Sequence, residues 1–160
     1  SLDLIRRDNV VILRSMTKDY ALAGLRLGYA IAAKPIISAL KRVCPSWNVN
    51  SLAQKAGIMA INANNYLEEC STRLREAKSF LVQELEHLGL SPLPSQTNFF
   101  LVKVGNATKF RQALLMKGFL VRDCTSFGLP QYIRLAPRTL PECQKLITAI
   151  KEVGVLSYAS

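Results

Sequence analysis

SMTKDYALAGLRLGYAIA, residues 15–32, sets two hydroxyls, a lysine and an arginine around two glycines and closes on an apolar run. The residues just before it, VVILR at 10–14, are β-branched and read as a short buried strand. LGYAIAA at 27–33 reads as a second strand, so the polar segment is a loop between two strands. Ser15, Thr17 and Arg26 near one turn form a candidate anion cradle. A guanidinium gives paired hydrogen bonds to phosphate oxygens, and each hydroxyl gives one. Gly24 and Gly28 are expected to let the backbone fold tightly and return Arg26 over the loop. Lys18 stands beside that cradle. Burial favours the neutral form of an amine, and a neutral amine is a nucleophile toward carbonyls.

A phosphate-bearing aldehyde held there would condense with Lys18, and pyridoxal phosphate is a cofactor of that description. Spacing alone also allows a plainer reading, in which a surface lysine and arginine flank an edge hairpin. Other glycine signatures are absent. There is no G-x-x-x-x-G-K-[ST], and Gly24 and Gly28 do not complete G-x-G-x-x-G.

Downstream, Lys34-Pro35 marks a break and Pro35 suits the first turn of a helix over 35–43, followed by a loop at 44–48, CPSWN. From Leu52 to Leu88, apolar residues recur every three or four positions, the helical period, which predicts a long helix with a buried stripe. Asn64-Asn65 is a weak point where a break and a nearby domain boundary are expected. Gly89 suits a helix C-terminus. Strands are predicted at 97–104, 119–123 and 131–136, and helices at 107–117 and from Pro141 to about Val153. Thr139 and Glu142 are spaced as a capping box. The alternation is that of an α/β fold.

The 160 residues suffice for one domain or parts of two. Apolar residues at 49% and charged residues at 20% predict a packed core. No apolar run approaches the ~18 residues of a membrane span, so no membrane partner is expected. The opening SLDLIRRDNV has neither an initiator Met nor a signal-peptide core, which leads us to expect a trimmed or fragmentary chain. Cys44, Cys70, Cys124 and Cys143 are scattered, and His87 is the only histidine. This pattern argues against a metal site and a histidine triad, and for reduced thiols in a cytoplasmic compartment. The formal charge of +10 raises nucleic-acid binding. However, the basic residues are dispersed without an aromatic-interleaved stripe, so a solvated surface is expected and a nucleic-acid partner is not.

The motif S-x-T-K followed by L-A-G-L-R-L-G-Y resembles the lysine segment of the fold-type I pyridoxal-phosphate enzymes, the class I/II aminotransferases. T-N-F-F-L-V at 97–102 and K-G-F-L-V-R-D-C-T-S-F-G-L-P-Q-Y-I-R-L-A-P-R at 117–138 resemble the small-domain ending of one branch. That branch holds histidinol-phosphate aminotransferase and threonine-phosphate decarboxylase. The resemblance implies that Lys18 is the Schiff-base lysine and proton shuttle. It makes Ser15, Thr17 and Arg26 ligands of the cofactor phosphate, and Arg134 the clamp on the substrate α-carboxylate. Arg122 would face a distal substrate phosphate, and Asn98 would belong to a small-domain strand entering the site. Tyr29 follows the family pattern as a structural residue.

The implied activity is transfer of an amino group between a phosphorylated amino compound and a 2-oxo acid, by a homodimer. The alternatives are decarboxylation of an amino-acid phosphate, or a non-catalytic binding module. The family's other cofactor contacts lie earlier in its pattern and have no match in these residues. They are the carboxylate on the pyridine nitrogen, the stacked aromatic ring, and an Asn and a Tyr. The chain is therefore expected to be a C-terminal portion, inactive alone. Residues 1–65 would be the end of the large domain. Residues 66–160 would be a small α/β domain with helices on a mixed, mainly antiparallel sheet.

Overall fold

Val11–Ser15 (β1) pairs antiparallel with Gly28–Ala32 (β2), with Val11 opposite Ala32 and Ser15 opposite Gly28. At the closed end a Cβ on Gly28 would lie 2.8 Å from the Arg14 carbonyl oxygen, so the strands approach there only because residue 28 has no side chain. This hairpin belongs to the first of two compact units, Ser1–Leu67 and Glu68–Ser160; the computed structural model describes Leu4 and residues 7–154.

The first unit has few buried side chains. Met16, Thr17, Ala53 and Gly57 are buried, whereas Leu13 is 77% exposed. The expectation of a buried strand at 10–14 is therefore corrected: Ile12 is half-buried and its neighbours Val11 and Leu13 are open. A two-stranded sheet leaves each strand one unpaired edge, and no layer in this unit covers the Leu13 face. Lys34–Val43 (α2) carries Pro35 in its first turn. Ser51–Ile61 (α3) is capped by Asn50, whose Oδ1 accepts from the Ala53 N–H at 2.8 Å. Gly57 brings α3 against the hairpin, since a Cβ there would stand 2.5 Å from Leu27 Cδ2.

The predicted stripe is interrupted where expected. The α3 helix ends at Ile61, the next begins at Tyr66 (α4, Tyr66–His87), and Asn65 takes φ 63°. Asparagine tolerates that left-handed conformation because its short polar side chain bonds locally. As a core pattern, however, the stripe holds only in α4, where Ala77, Leu81 and Leu85 are buried. In α3, Leu52 and Met59 are exposed and the small residues Ala53 and Gly57 face inward.

In the second unit, Phe100–Lys103 (β3), Arg122–Asp123 (β4) and Tyr132–Leu135 (β5) form an antiparallel sheet in the order β3-β5-β4. Ala107–Met116 (α5) and Leu140–Val153 (α6) complete it. Phe100, Val102, Ile133 and Leu135 point to one face, where they pack with Leu81, Leu85, Phe110, Leu114, Ile147 and Ile150. The period of two then sends the side chains of β4 and β5 that alternate with these to the uncovered face. This is the expected α/β arrangement with an antiparallel sheet.

Local chemistry explains most element ends. Thr139 donates to Glu142 Oε2 from its N–H (3.2 Å) and its hydroxyl (2.6 Å), the glutamate half of a capping box. These bonds hold the Glu142 carboxyl below its ordinary value. Gly89 and Gly118 take φ 77° and 83° to close α4 and α5. Two strands, β3 and β4, lose half or more of their predicted length. The Phe119 N–H donates back to the Leu114 carbonyl at 2.9 Å, so residues 118–119 belong to the cap of α5 and β4 is confined to Arg122–Asp123. Residues 97–99 are held by side-chain hydroxyls, so β3 starts at Phe100. His87 lies on the surface, 3.7 Å from Glu84, and all four cysteines are free.

Candidate functional site

The turn between β1 and β2 is built from short, irregular pieces. Met16–Asp19 (α1) makes a single helical turn, and a 3-10 turn follows at Ala23–Leu25. The Met16 N–H reaches across to the Leu27 carbonyl at 3.1 Å and ties the loop's two ends. The left-handed residues here are Ala21 (φ 55°) and Arg26 (φ 52°), with Gly24 and Gly28 in ordinary conformations. The glycine argument for the return of Arg26 is thus corrected, because Arg26 itself makes the turn. A side chain in that region costs roughly 1–2 kcal/mol. Strain of this kind concentrates at functional sites.

Ser15 precedes α1 in an extended conformation, yet its side chain does not cap the helix. Its Oγ instead lies 2.7 Å from Thr17 Oγ1 and accepts from Lys18 Nζ at 3.5 Å. Among the described residues of this unit Thr17 is the buried polar one, at 8% exposure, and Lys18 is exposed rather than buried. Hydroxyl, hydroxyl and amine therefore converge as the residues predicted, but the amine faces outward from this unit. The Arg26 guanidinium has no hydrogen-bond or ion-pair partner among the described residues and does not bond the two hydroxyls. Asp19 lies 3.8 Å from Arg14, and the Tyr20 ring stacks on Tyr66 with centroids 6.0 Å apart. Those contacts leave Lys18 as the charged group next to the hydroxyl pair.

A second cationic site lies on the uncovered sheet face of the second unit. Arg134 on β5 stands directly opposite Arg122 on β4 and Leu101 on β3. Like charges in that register repel, and neither arginine has a carboxylate partner among the described residues. Each guanidinium lies over a phenylalanine ring instead, Arg134 over Phe99 at 4.9 Å and Arg122 over Phe127 at 5.2 Å. Arg122 also donates to Ser126 Oγ at 3.0 Å. Their charge reaches the buried Cys124, whose thiol burial pushes up while Arg134 and Arg122 pull it down. Asn98 is exposed in the loop before β3, and its side chain has no hydrogen-bond partner among the described residues.

Sequence reasoning missed the supports of these arginines. Phe99 and Phe127 are 37% and 59% exposed; Phe127 lies close after Arg122 in sequence and could have been found, whereas Phe99 is far from Arg134 along the chain and carries no such signal. Asp123 holds the turn that carries Ser126 and Phe127. It accepts from Thr108 Oγ1 (2.6 Å), Thr125 Oγ1 (2.6 Å) and the Thr125 N–H (2.8 Å). The Thr108 bond first, then those from Thr125, hold its carboxyl below the ordinary value. A lowered folded-state value stabilises the fold above the unfolded value of about 3.9, and that contribution fades as pH falls through the folded value. Asp123→Asn is therefore expected to lower stability by about 1 kcal/mol at pH 7. Urea midpoints should show the gap from the parent protein narrowing below pH 4.

Among the described residues, no helix is long and apolar enough to cross a membrane, and no His, Cys, Asp and Glu cluster could hold a metal. Residues 2–150 match the family described as aminotransferase class I and II. The chain is 37% identical over 147 residues to a histidinol-phosphate aminotransferase of Desulfotalea psychrophila, a match covering 91% of this chain and 39% of that one. Its fold matches the crystal structure of histidinol-phosphate aminotransferase from Clostridium acetobutylicum with TM-score 0.87 at 28% identity, over 96% of this chain and 48% of the other. It also matches that of histidinol-phosphate aminotransferase from Sinorhizobium meliloti in complex with pyridoxal-5'-phosphate (TM-score 0.80, 27% identity, 98% and 44% covered). The chain spans about two fifths of the length of the curated relatives it matches.

Proposed function

The chain belongs to the class I and II aminotransferases, and from that premise we propose that it is the C-terminal portion of a cytoplasmic pyridoxal-phosphate-dependent aminotransferase. The reaction moves an amino group between a phosphorylated amino compound, such as histidinol phosphate, and a 2-oxo acid. Residues 1–65 are the end of the large domain and 66–160 the small domain. The complete polypeptide works as a homodimer. The observation that carries this reading is the convergence of Lys18 Nζ and Thr17 Oγ1 on Ser15 Oγ, each within hydrogen-bond reach of it.

The donor set fits the cofactor. Two hydroxyls and an unpaired guanidinium suit a phosphate, and a primary amine beside them suits an aldehyde. When bound, pyridoxal phosphate supplies that aldehyde and a ring that stores the electron pair left by the departing proton. The chain's own residues do the rest. Ser15, Thr17 and Arg26 hold the cofactor's phosphate end. Lys18 Nζ would carry the proton that leaves the substrate α-carbon to its new position during amino transfer, which requires an accessible amine, and exposure of Lys18 supports that role. Arg134 orients the substrate through its α-carboxylate, Arg122 takes the distal phosphate, and Asn98 lines the approach. Two arginines side by side on an uncovered sheet face, neither with a carboxylate partner among the described residues, suit a substrate with two anionic ends.

The reading is tested by assaying the full-length polypeptide with histidinol phosphate and 2-oxoglutarate. Cofactor-dependent appearance of glutamate is expected, and none with cofactor present would refute it. Thr17→Val, which keeps shape and removes the hydroxyl, is expected to weaken cofactor binding about tenfold. Turnover at saturating cofactor should change less than about twofold, as measured by titrating the apoenzyme.

A further inference from the structure

Residues 95–99 enter β3 as a polar knot rather than as strand. Ser95 Oγ donates to the Phe99 carbonyl at 2.6 Å and Thr97 Oγ1 donates to the same oxygen at 2.9 Å. The Thr97 N–H donates back to Ser95 Oγ at 3.1 Å. Serine and threonine hydroxyls in such positions compete with ladder bonds for the backbone. Two of the knot's other carbonyls, those of Ser95 and Thr97, lie before β3 and make no ladder bond. Both are taken by one side chain from another element: Lys78 Nζ on α4 donates to Ser95 O at 2.6 Å and Thr97 O at 2.7 Å.

Lys78 is half-buried next to the core residue Ala77 and has no carboxylate partner among the described residues. A surface lysine normally leaves its ammonium in water, because fixing so long a side chain costs rotamer entropy. Here the ammonium bridges two carbonyls of a loop with no regular structure. The product of that bridge is the placement of Phe99, the next residue after Asn98, whose ring lies 4.9 Å from Arg134 Cζ. Cation–π attraction requires the charge within about 6 Å of the ring centroid. A shift of an ångström or two in the knot would therefore release the guanidinium.

We propose that Lys78 is a positioning residue for the anion site. By tying the Ser95 and Thr97 carbonyls together, it fixes the loop that holds the Phe99 ring against the Arg134 guanidinium. This inference rests on the reading of Arg134 as the substrate-carboxylate clamp. Neither carbonyl would be left stranded without Lys78, since the loop is at the surface and water can replace the ammonium. The loss would therefore be one of aim and not of fold.

The test uses the full-length, cofactor-loaded enzyme. Lys78→Met is expected to raise KM for the amino donor about tenfold, with kcat changed less than about twofold and the cofactor absorbance unaltered. Lys78→Arg keeps the donors and should stay within about threefold of the parent KM. Phe99→Leu should reproduce the KM effect. Because Lys78 acts through Phe99, the double variant should be no worse than the weaker-binding single variant. Multiplying effects in the double variant, or a normal KM in Lys78→Met alongside a raised one in Arg134→Gln, would overturn the proposal. Should Lys78→Met not fold, a normal KM in Phe99→Leu has the same force. An unchanged KM in Arg134→Gln itself would refute the carboxylate-clamp reading, and this inference with it.

Discussion

Lys18→Ala in the full-length, cofactor-loaded enzyme is expected to cut turnover by at least about a thousandfold, because one group supplies both covalent attachment and proton transfer. Borohydride reduction of the parent protein should fix the cofactor on residue 18, and the variant should carry no label there. The fold should barely notice. Lys18 is exposed, and among the described residues its side chain makes only a 3.5 Å bond to Ser15 Oγ. Substitutions of that kind change stability by no more than about 0.5 kcal/mol. Ser15 and Thr17 keep their mutual contact at 2.7 Å, so the phosphate end of the cofactor should still bind. Loss of turnover with retained, non-covalent cofactor is thus the diagnostic combination. Lys34, Lys41 and Lys55 also lie in the first unit. A label on one of these in the parent protein, or near-normal turnover in Lys18→Ala, would remove the amine on which the reading is built.

The features most legible in the sequence are those decided by neighbours along the chain. The cap at Thr139 bonds a group three residues away, so the start of α6 could be placed by inspection. The break at Asn64-Asn65 needed only the local behaviour of asparagine. The lysine segment was legible because its donors lie within four residues of one another. Burial was less so. Leu13 and Met59 sit in patterns that normally face a core, but the first unit has no layer over them. Strand ends were overextended at 97–99 and 119–121 because competing bonds came from Ser95, Thr97 and the cap of α5. Least legible was the pairing of Arg122 with Arg134. Twelve residues separate them, and only the antiparallel register of β4 and β5 sets them opposite each other. The Phe99 and Phe127 contacts depend in turn on that register and on loops whose shape is set by side-chain hydroxyls.

That juxtaposition makes Arg134→Gln the other substitution with a large expected effect, and it should separate activity from stability. Truncating one member of a desolvated charge pair costs about 3 kcal/mol. If Arg134 takes the substrate carboxylate, kcat/KM for the amino donor should fall roughly a hundredfold, carried by KM. Folding should move the other way or not at all. Arg134 faces Arg122 with no carboxylate between them among the described residues, and removing one of two like charges in direct register relieves roughly 0.2–1 kcal/mol of repulsion. The Phe99 stack offsets part of that relief, so the thermal midpoint should stay level or rise slightly. An ordinary solvent-face arginine predicts the level midpoint but not the first result, since its loss would leave kcat/KM intact. Lysine at 134 keeps the charge but not the planar fork, so it should recover only a minor part of the lost activity. Recovery to parent levels would mean that net charge, and not paired hydrogen bonding to a carboxylate, is what this position supplies.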